Sequence, residues 1–152
     1  MIRALPILPF AALLLAGCGP SAPAESPRVD PTTESWYPET AERLAEMDRA
    51  AEQLFQNGQV QEAAAIVTSG QSLQTRLLAA PLPTLAAMEA IADLDQVYGR
   101  MLIYNGYYGS ARLLFQKNVT RWKNWKPPTP DTERRLKDAN SAIAECDRHM
   151  GG

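Results

Sequence analysis

Two Asn-Gly steps, Asn57-Gly58 and Asn105-Gly106, stand 48 residues apart and interrupt runs of apolar residues spaced at three and four. That spacing marks one face of an amphipathic helix, and no segment from residue 38 onward sustains the alternation of a strand. Asparagine followed by glycine is a helix stop, because glycine takes the left-handed backbone that closes a last turn. The sequence therefore predicts an all-α fold of antiparallel helical hairpins, about five helices including a C-terminal capping helix.

The expected helices cover residues 38–56, 60–79, 84–104, 107–125 and 129–149. Pro38 and Glu39 suit the first start, and Leu44, Met47, Ala51, Leu54 and Phe55 form its inner face. Met88, Ile91, Leu94, Tyr98 and Met101 do the same for the third helix, and Ala111, Leu114, Phe115, Val119 and Trp122 for the fourth. The fifth opens on Thr129-Pro130 and carries the stripe Leu136, Ala139, Ile143, Cys146, Met150. Cys146 on that stripe reads as a small buried hydrophobe rather than a redox thiol. His149, in the last turn, is placed to meet the closing carbonyls of its own helix.

A shift of 48 superimposes Ala51, Gly58, Val60, Ala63, Val67 and Gly70 on Gly99, Gly106, Tyr108, Ala111, Phe115 and Asn118. This pattern, with Gly58-Gln59-Val60-Gln61-Glu62-Ala63 at its centre, resembles the tetratricopeptide repeat, in which paired antiparallel helices approach through small residues. The resemblance covers residues 47–123 and implies two elongated hairpins followed by a capping helix. The period is longer than the family's, about 34 residues. The family's early tryptophan is replaced by Met47 and Asp95, and its closing proline is absent. A plain antiparallel helical bundle satisfies the same periodicity.

Upstream, Arg3 precedes an apolar stretch over residues 4–15 that closes on Leu15-Ala16-Gly17-Cys18. The stretch has the length of an export-signal core and is too short to span a bilayer comfortably. The tetrapeptide resembles the lipobox of bacterial lipoproteins. That resemblance implies a signal peptide over 1–17, cleavage before Cys18 and acylation of Cys18, whose two or more chains anchor stably where one is marginal. Gly19 in place of an aspartate implies an outer-membrane address with the domain facing the periplasm, or the outer leaflet of the plasma membrane in a monoderm host. Residues 18–35 contain Pro20, Pro23, Pro27 and Pro31 among small and polar residues and read as a tether. The helical-hairpin domain is then 36–152. With Cys18 acylated, Cys146 has no cysteine partner within the chain.

Charge is uneven. Residues 36–100 carry nine acidic and four basic side chains, whereas 101–126 carry Arg112, Lys117, Arg121, Lys123 and Lys126 and no acid. Tyr104, Tyr107, Tyr108, Trp122 and Trp125 lie in the same stretch. Tyr107, Arg112, Arg121, Trp122 and Trp125 are the candidate partner-binding residues, since cations among aromatic rings suit a protein hot spot, an anionic headgroup or a wall polymer. The same residues at core spacing, with cations paired to the acidic first hairpin, are also compatible with a solvated face. Nucleic acid fits the chemistry but not the compartment.

Catalytic patterns are sparse. One histidine gives no triad base and no metal pair, there is no Cys-x-x-Cys, and the glycines punctuate helices rather than form a phosphate loop. No cofactor or metal is expected. Asp93 and Asp95 are conceivable acids for a glycan hydrolase, but residues two apart on a helix point in different directions. The sequence thus points to a lipid-anchored envelope protein that binds another envelope protein, with anionic wall or headgroup binding as the alternative.

Overall fold

A computed structural model describes residues 29–151. Its helices are α1 (Trp36–Gln56), α2 (Val60–Leu78), α3 (Leu85–Tyr104), α4 (Tyr108–Asn124) and α5 (Pro130–Met150), and the described residues contain no strand. Each boundary falls within two residues of its expected place. The signal peptide, Cys18 and most of the tether lie outside the described residues. Within the segment read as tether to residue 35, Pro31–Thr33 form a 3-10 turn in which Asp30 accepts from the Thr32 amide. The folded domain therefore begins about six residues earlier than the expected boundary.

The 48-residue repeat is present in the backbone. Both α1 and α3 end on an Asn-Gly step, with φ of 78° at Gly58 and 79° at Gly106. Asn57 donates to Gln53 as Asn105 donates to Met101, and Gln59 donates to Leu54 as Tyr107 donates to Leu102. Antiparallel hairpins α1–α2 and α3–α4 result, with α3 laid along α1 and α5 against α4. Helix starts are set locally: the Thr84 hydroxyl caps α3, and Thr129 with Thr132 forms a reciprocal capping box at α5 behind Pro130.

Packing follows the repeat. Ala63 and Ala111, the paired small residues, are both fully buried. At Gly70, a β-carbon would stand 2.5 Å from Leu94 Cδ2 and 3.2 Å from Leu44 Cδ1, so a side chain there would displace the leucine tips that close over the hairpin junction. A β-carbon on Gly99 would lie 2.4 Å from the Phe115 ring; the equivalent pair in the first hairpin is Ala51 with Val67. A larger ring in the second unit is thus accommodated by a smaller residue opposite. Tyr37, not anticipated as core, is fully buried and its hydroxyl donates to Leu77 O at 3.2 Å, tying the start of α1 to the end of α2. Met47, Leu54 and Phe55 of the expected inner face are only half-buried. Cys146 is a free, buried thiol, which burial pushes up from its ordinary value. The His149 ring stacks on Tyr108 at 4.4 Å instead of meeting the carbonyls of α5.

The repeat also shows where the stack ends. On α3 the residues Ala87, Ala90, Ile91, Leu94, Val97 and Met101 are buried in one cluster with α1 and α2. The positions 48 earlier are Glu39, Glu42, Arg43, Glu46, Arg49 and Gln53, all exposed. Where the second hairpin is apolar and joined, the first is charged and faces water, as a terminal unit of a stacked array must. α5 closes the other end with Glu133, Lys137, Asn140 and Ser141 outward.

Gly99→Ala is expected to lower stability by about 1–3 kcal/mol through overpacking against Phe115. Gly99→Ala with Phe115→Val, which copies the Ala51 and Val67 pair, recovers part of that loss. Urea unfolding of both variants measures this, and a double variant no better than Gly99→Ala contradicts the equivalence of the two hairpins.

Candidate partner-binding groove

Helices α1, α3 and α5 run parallel and line one side of the molecule. Because α5 leans on α4, it meets α3 through side chains and leaves clefts on that side. Between α1 and α3 lies a cleft of about 330 Å³ floored by Ala41, Ala45 and Ala90, with exposed Ala86 at its rim. Between α3 and α5 lies one of about 250 Å³, with Ala92, Asn118 and Trp122 beneath and Gln96, Arg100 and Arg134 on its walls. Asp93 and Arg135 belong to both, so the clefts form one groove divided by a salt bridge.

The electrostatics of the groove are set by that bridge. Arg135 pairs with Asp93 of α3 and, at 2.6 Å, with Asp131 one turn before it, and it lies 5.6 Å above the Trp122 ring. Burial alone would lower its pKa, but the two carboxylates override that and hold it above the ordinary arginine value. Asp131 is held low by its hydrogen bonds to Arg135 and Arg134. Arg100 spans α3 and α1 in a two-pronged pair with Glu52, its repeat equivalent. Two acids are less well neutralised. Asp48 is pushed up to about 6 by burial and by the neighbouring Asp93 and Glu52, against the pull of Arg100 and Arg49, and its buried Oδ1 has no hydrogen-bond partner. Glu89 is raised by burial, with Arg135 opposing and Asp131 and Asp93 adding. The α1–α3 half of the groove is acidic over a floor of alanines; the α3–α5 half mixes arginines with acids.

The five candidate residues do not share one surface. Tyr107 is 61% exposed in the turn before α4, whereas Trp125 ends α4 as its half-buried C-cap. At about 1.5 Å per residue they are roughly 27 Å apart, so they are not companions. Arg112 faces α5 and pairs with Asp147 at 2.6 Å. Trp122 is 4% exposed and belongs to the interior beneath the groove. Arg121 is likewise removed from the surface, with 9% of its side chain exposed: both of its terminal nitrogens lie 3.3 Å from Asp95 Oδ2, and it also bonds Asn118 Oδ1. Burial raises the Asp95 pKa, and Arg121 and the Gln74 amide work against that rise. Asn118 donates to Ala92 O at 3.1 Å, completing a polar network among α2, α3 and α4. Its repeat equivalents are apolar or small: Met47 for Asp95, Leu73 for Arg121 and Gly70 for Asn118.

Asp93 and Asp95 turn to opposite partners, Arg135 and Arg121, so they form no acid pair. Among the described residues no cluster of three or more metal-ligating side chains occurs, and no helix is long and apolar enough to cross a membrane. No protein family, curated protein or solved structure matches the chain.

Sequence reasoning missed the groove because its residues come from three helices and are individually ordinary charges. One signal was available for Arg112 and Arg121: nine residues is about two and a half helical turns, which places them on opposite sides of α4.

Removing one member of the buried pair strands the other. Arg121→Ala is expected to cost about 3–5 kcal/mol in urea unfolding, whereas Asp95→Met with Arg121→Leu, the apolar solution used in the first hairpin, stays near the native value. A double variant as unstable as Arg121→Ala contradicts this. For Asp48, the native state keeps a proton that the unfolded chain releases between about pH 4 and 6, so its contribution to stability rises as pH falls through that window. Asp48→Asn is expected to stabilise at pH 7 by about 1–2 kcal/mol, discounted for solvent screening, and to converge with the native protein near pH 4. Parallel pH profiles for the two proteins contradict the assignment.

Proposed function

We propose that this chain is a protein-binding module held at the cell-envelope membrane by lipid on Cys18, facing the periplasm from the outer membrane. The groove of α1, α3 and α5 grips a segment of another envelope protein. The observation that carries the reading is the contrast between surfaces. The lateral groove sets an alanine floor beside Glu42, Glu89 and the Asp93–Arg135 pair, with Asp48 close to Asp93, and burial raises Asp48 and Glu89; the α1–α2 end of the stack instead carries a cleft lined by Arg43, Glu46, Met47, Ala50 and Ile66.

Small floor residues admit a backbone closely, and acids raised by burial and mutual repulsion favour an incoming cation. The occupant that fits is a partner segment with lysine or arginine side chains and few bulky ones. Surface attachment through Cys18 supplies high local concentration, so modest groove affinity suffices. The tetratricopeptide resemblance supports the same reading, as such lipoproteins commonly serve as scaffolds in envelope assemblies.

Crosslinking the intact lipoprotein in its native membrane, followed by identification of what co-purifies, tests the proposal against Glu42→Arg with Glu89→Arg. Both side chains line the groove rim, so helicity and melting temperature should be retained. A discrete protein captured by the native chain and reduced at least tenfold in the variant is expected. Equal capture by both, or recovery of lipid and bulk wall material alone, overturns it.

A further inference from the structure

The helix directions bring the starts of α1, α3 and α5 and the ends of α2 and α4 to one end of the molecule. Tyr37 at the start of α1 bonds Leu77 at the end of α2, and it lies with Thr84, the N-cap of α3, and Arg135 near the start of α5 around one cleft. Val29, the first described residue, is exposed at this end, so the chain leading back to Cys18 leaves from here.

The same end carries the most exposed large apolar side chain among the described residues. Leu82 is 81% exposed, held between Pro81 and Pro83 in the link from α2 to α3, and Leu78 is 49% exposed at the close of α2. Two fixed φ angles flank Leu82, so its outward position is built into the link. The same end carries cations. Arg76, in the last turn of α2, lies 4.0 Å above the Trp36 ring, and Lys123 and Lys126 flank the half-buried Trp125 at the close of α4. The acids of this end, Asp30, Glu34, Glu39, Asp131 and Glu133, lie at the starts of α1 and α5. The leucines and cations instead belong to the α2 and α4 side. The opposite end exposes Tyr104, Tyr107 and Met150, with Leu113 exposed in the first half of α4, but it has no proline-flanked leucine held outward in a link.

We propose that this edge, the α2–α3 link with the end of α4, docks on an anionic lipid surface. Leu82 and Leu78 enter the headgroup–acyl boundary, Trp125 sits at the interface, and Arg76, Lys123 and Lys126 meet lipid phosphates. Exposed leucines at the same end as aromatic and basic side chains suit a surface that is apolar beneath and anionic above. The inference deepens the anchored reading and rests on it for geometry. The eleven-residue step from Cys18 to Val29 spans at most about 40 Å and joins the domain at this end, so an anchor at Cys18 lets this end reach the membrane surface directly. Docked in this way, α1, α3 and α5 stand upright and the groove opens sideways to a partner in the same membrane plane.

The test uses the mature lipoprotein in vesicles of phosphatidylethanolamine and phosphatidylglycerol, with a polarity-sensitive label on Leu82→Cys or on Tyr104→Cys. The label at position 82 is expected to shift to the blue and to be quenched by quencher-bearing lipid, and the label at 104 to do neither. In a second arm the full mature chain carrying Cys18→Ser, which lacks the acyl acceptor, is sedimented with the same vesicles. It is expected to bind them, to bind phosphatidylcholine vesicles at least tenfold less, and to lose at least tenfold with Lys123→Glu and Lys126→Glu. A water-exposed label at 82, or binding unaffected by lipid charge and by the lysine variants, overturns the docking edge. Palmitate incorporation compared between the native chain and Cys18→Ala reads the anchor separately: equal labelling sinks the anchor and leaves the sedimentation arm to decide the edge.

Discussion

The contact on which the rest of the structure depends is the meeting of the two hairpins at Gly70. Leu94 of α3 and Leu44 of α1 close over that glycine, and a single added carbon would stand 2.5 Å from Leu94 Cδ2. The glycine leaves room for Leu94 and Leu44 at the junction where α3 lies along α1, and Leu44, Val67, Ile91, Leu94 and Val97 form one apolar cluster there. With α3 along α1, the helices α1, α3 and α5 lie on one side, and the groove exists only because those three helices share it. Burial of apolar surface supplies the driving force, and the missing side chain lets the leucines pack tightly at the junction.

The two hairpins solve one packing problem with different chemistry. Ala51 and Val67 in the first become Gly99 and Phe115 in the second, a trade of volume across the same contact. Met47 and Leu73 become Asp95 and Arg121, a trade of apolar packing for a buried ion pair with Gln74 and Asn118 around it. A buried pair contributes little net stability over an apolar one, yet it is intolerant of losing one partner. The second hairpin is therefore more specific in its pairing and more sensitive to single substitutions than the first.

Much of this was legible in the sequence. Periodicity, the two Asn-Gly steps and Thr129-Pro130 located every helix, because these are local signals read by local rules. The charged outer face of α1 could be matched to the repeat only once the buried face of α3 was known: Glu39, Arg43 and Glu46 stand opposite Ala87, Ile91 and Leu94 under the 48-residue shift. Tyr37 was hidden because one aromatic before a proline carries no period. The basic stretch misled because nearness along a helix is not nearness on a surface: Arg112 turns to α5, Arg121 to α3, and Trp122 inward. Asp93 and Arg135, which divide the groove, are 42 residues apart on different helices, and no sequence spacing joins them.

The central claim is that the side lined by α1, α3 and α5, rather than either stack end, is the working surface. Site-specific photocrosslinking in the native membrane tests it most directly, with the reactive group placed at groove positions Ala45 and Gln96 and at end-face positions Glu46 and Lys137. The account predicts a discrete protein adduct from 45 and 96 and none from 46 and 137. Adducts from the end faces with none from the groove would contradict it.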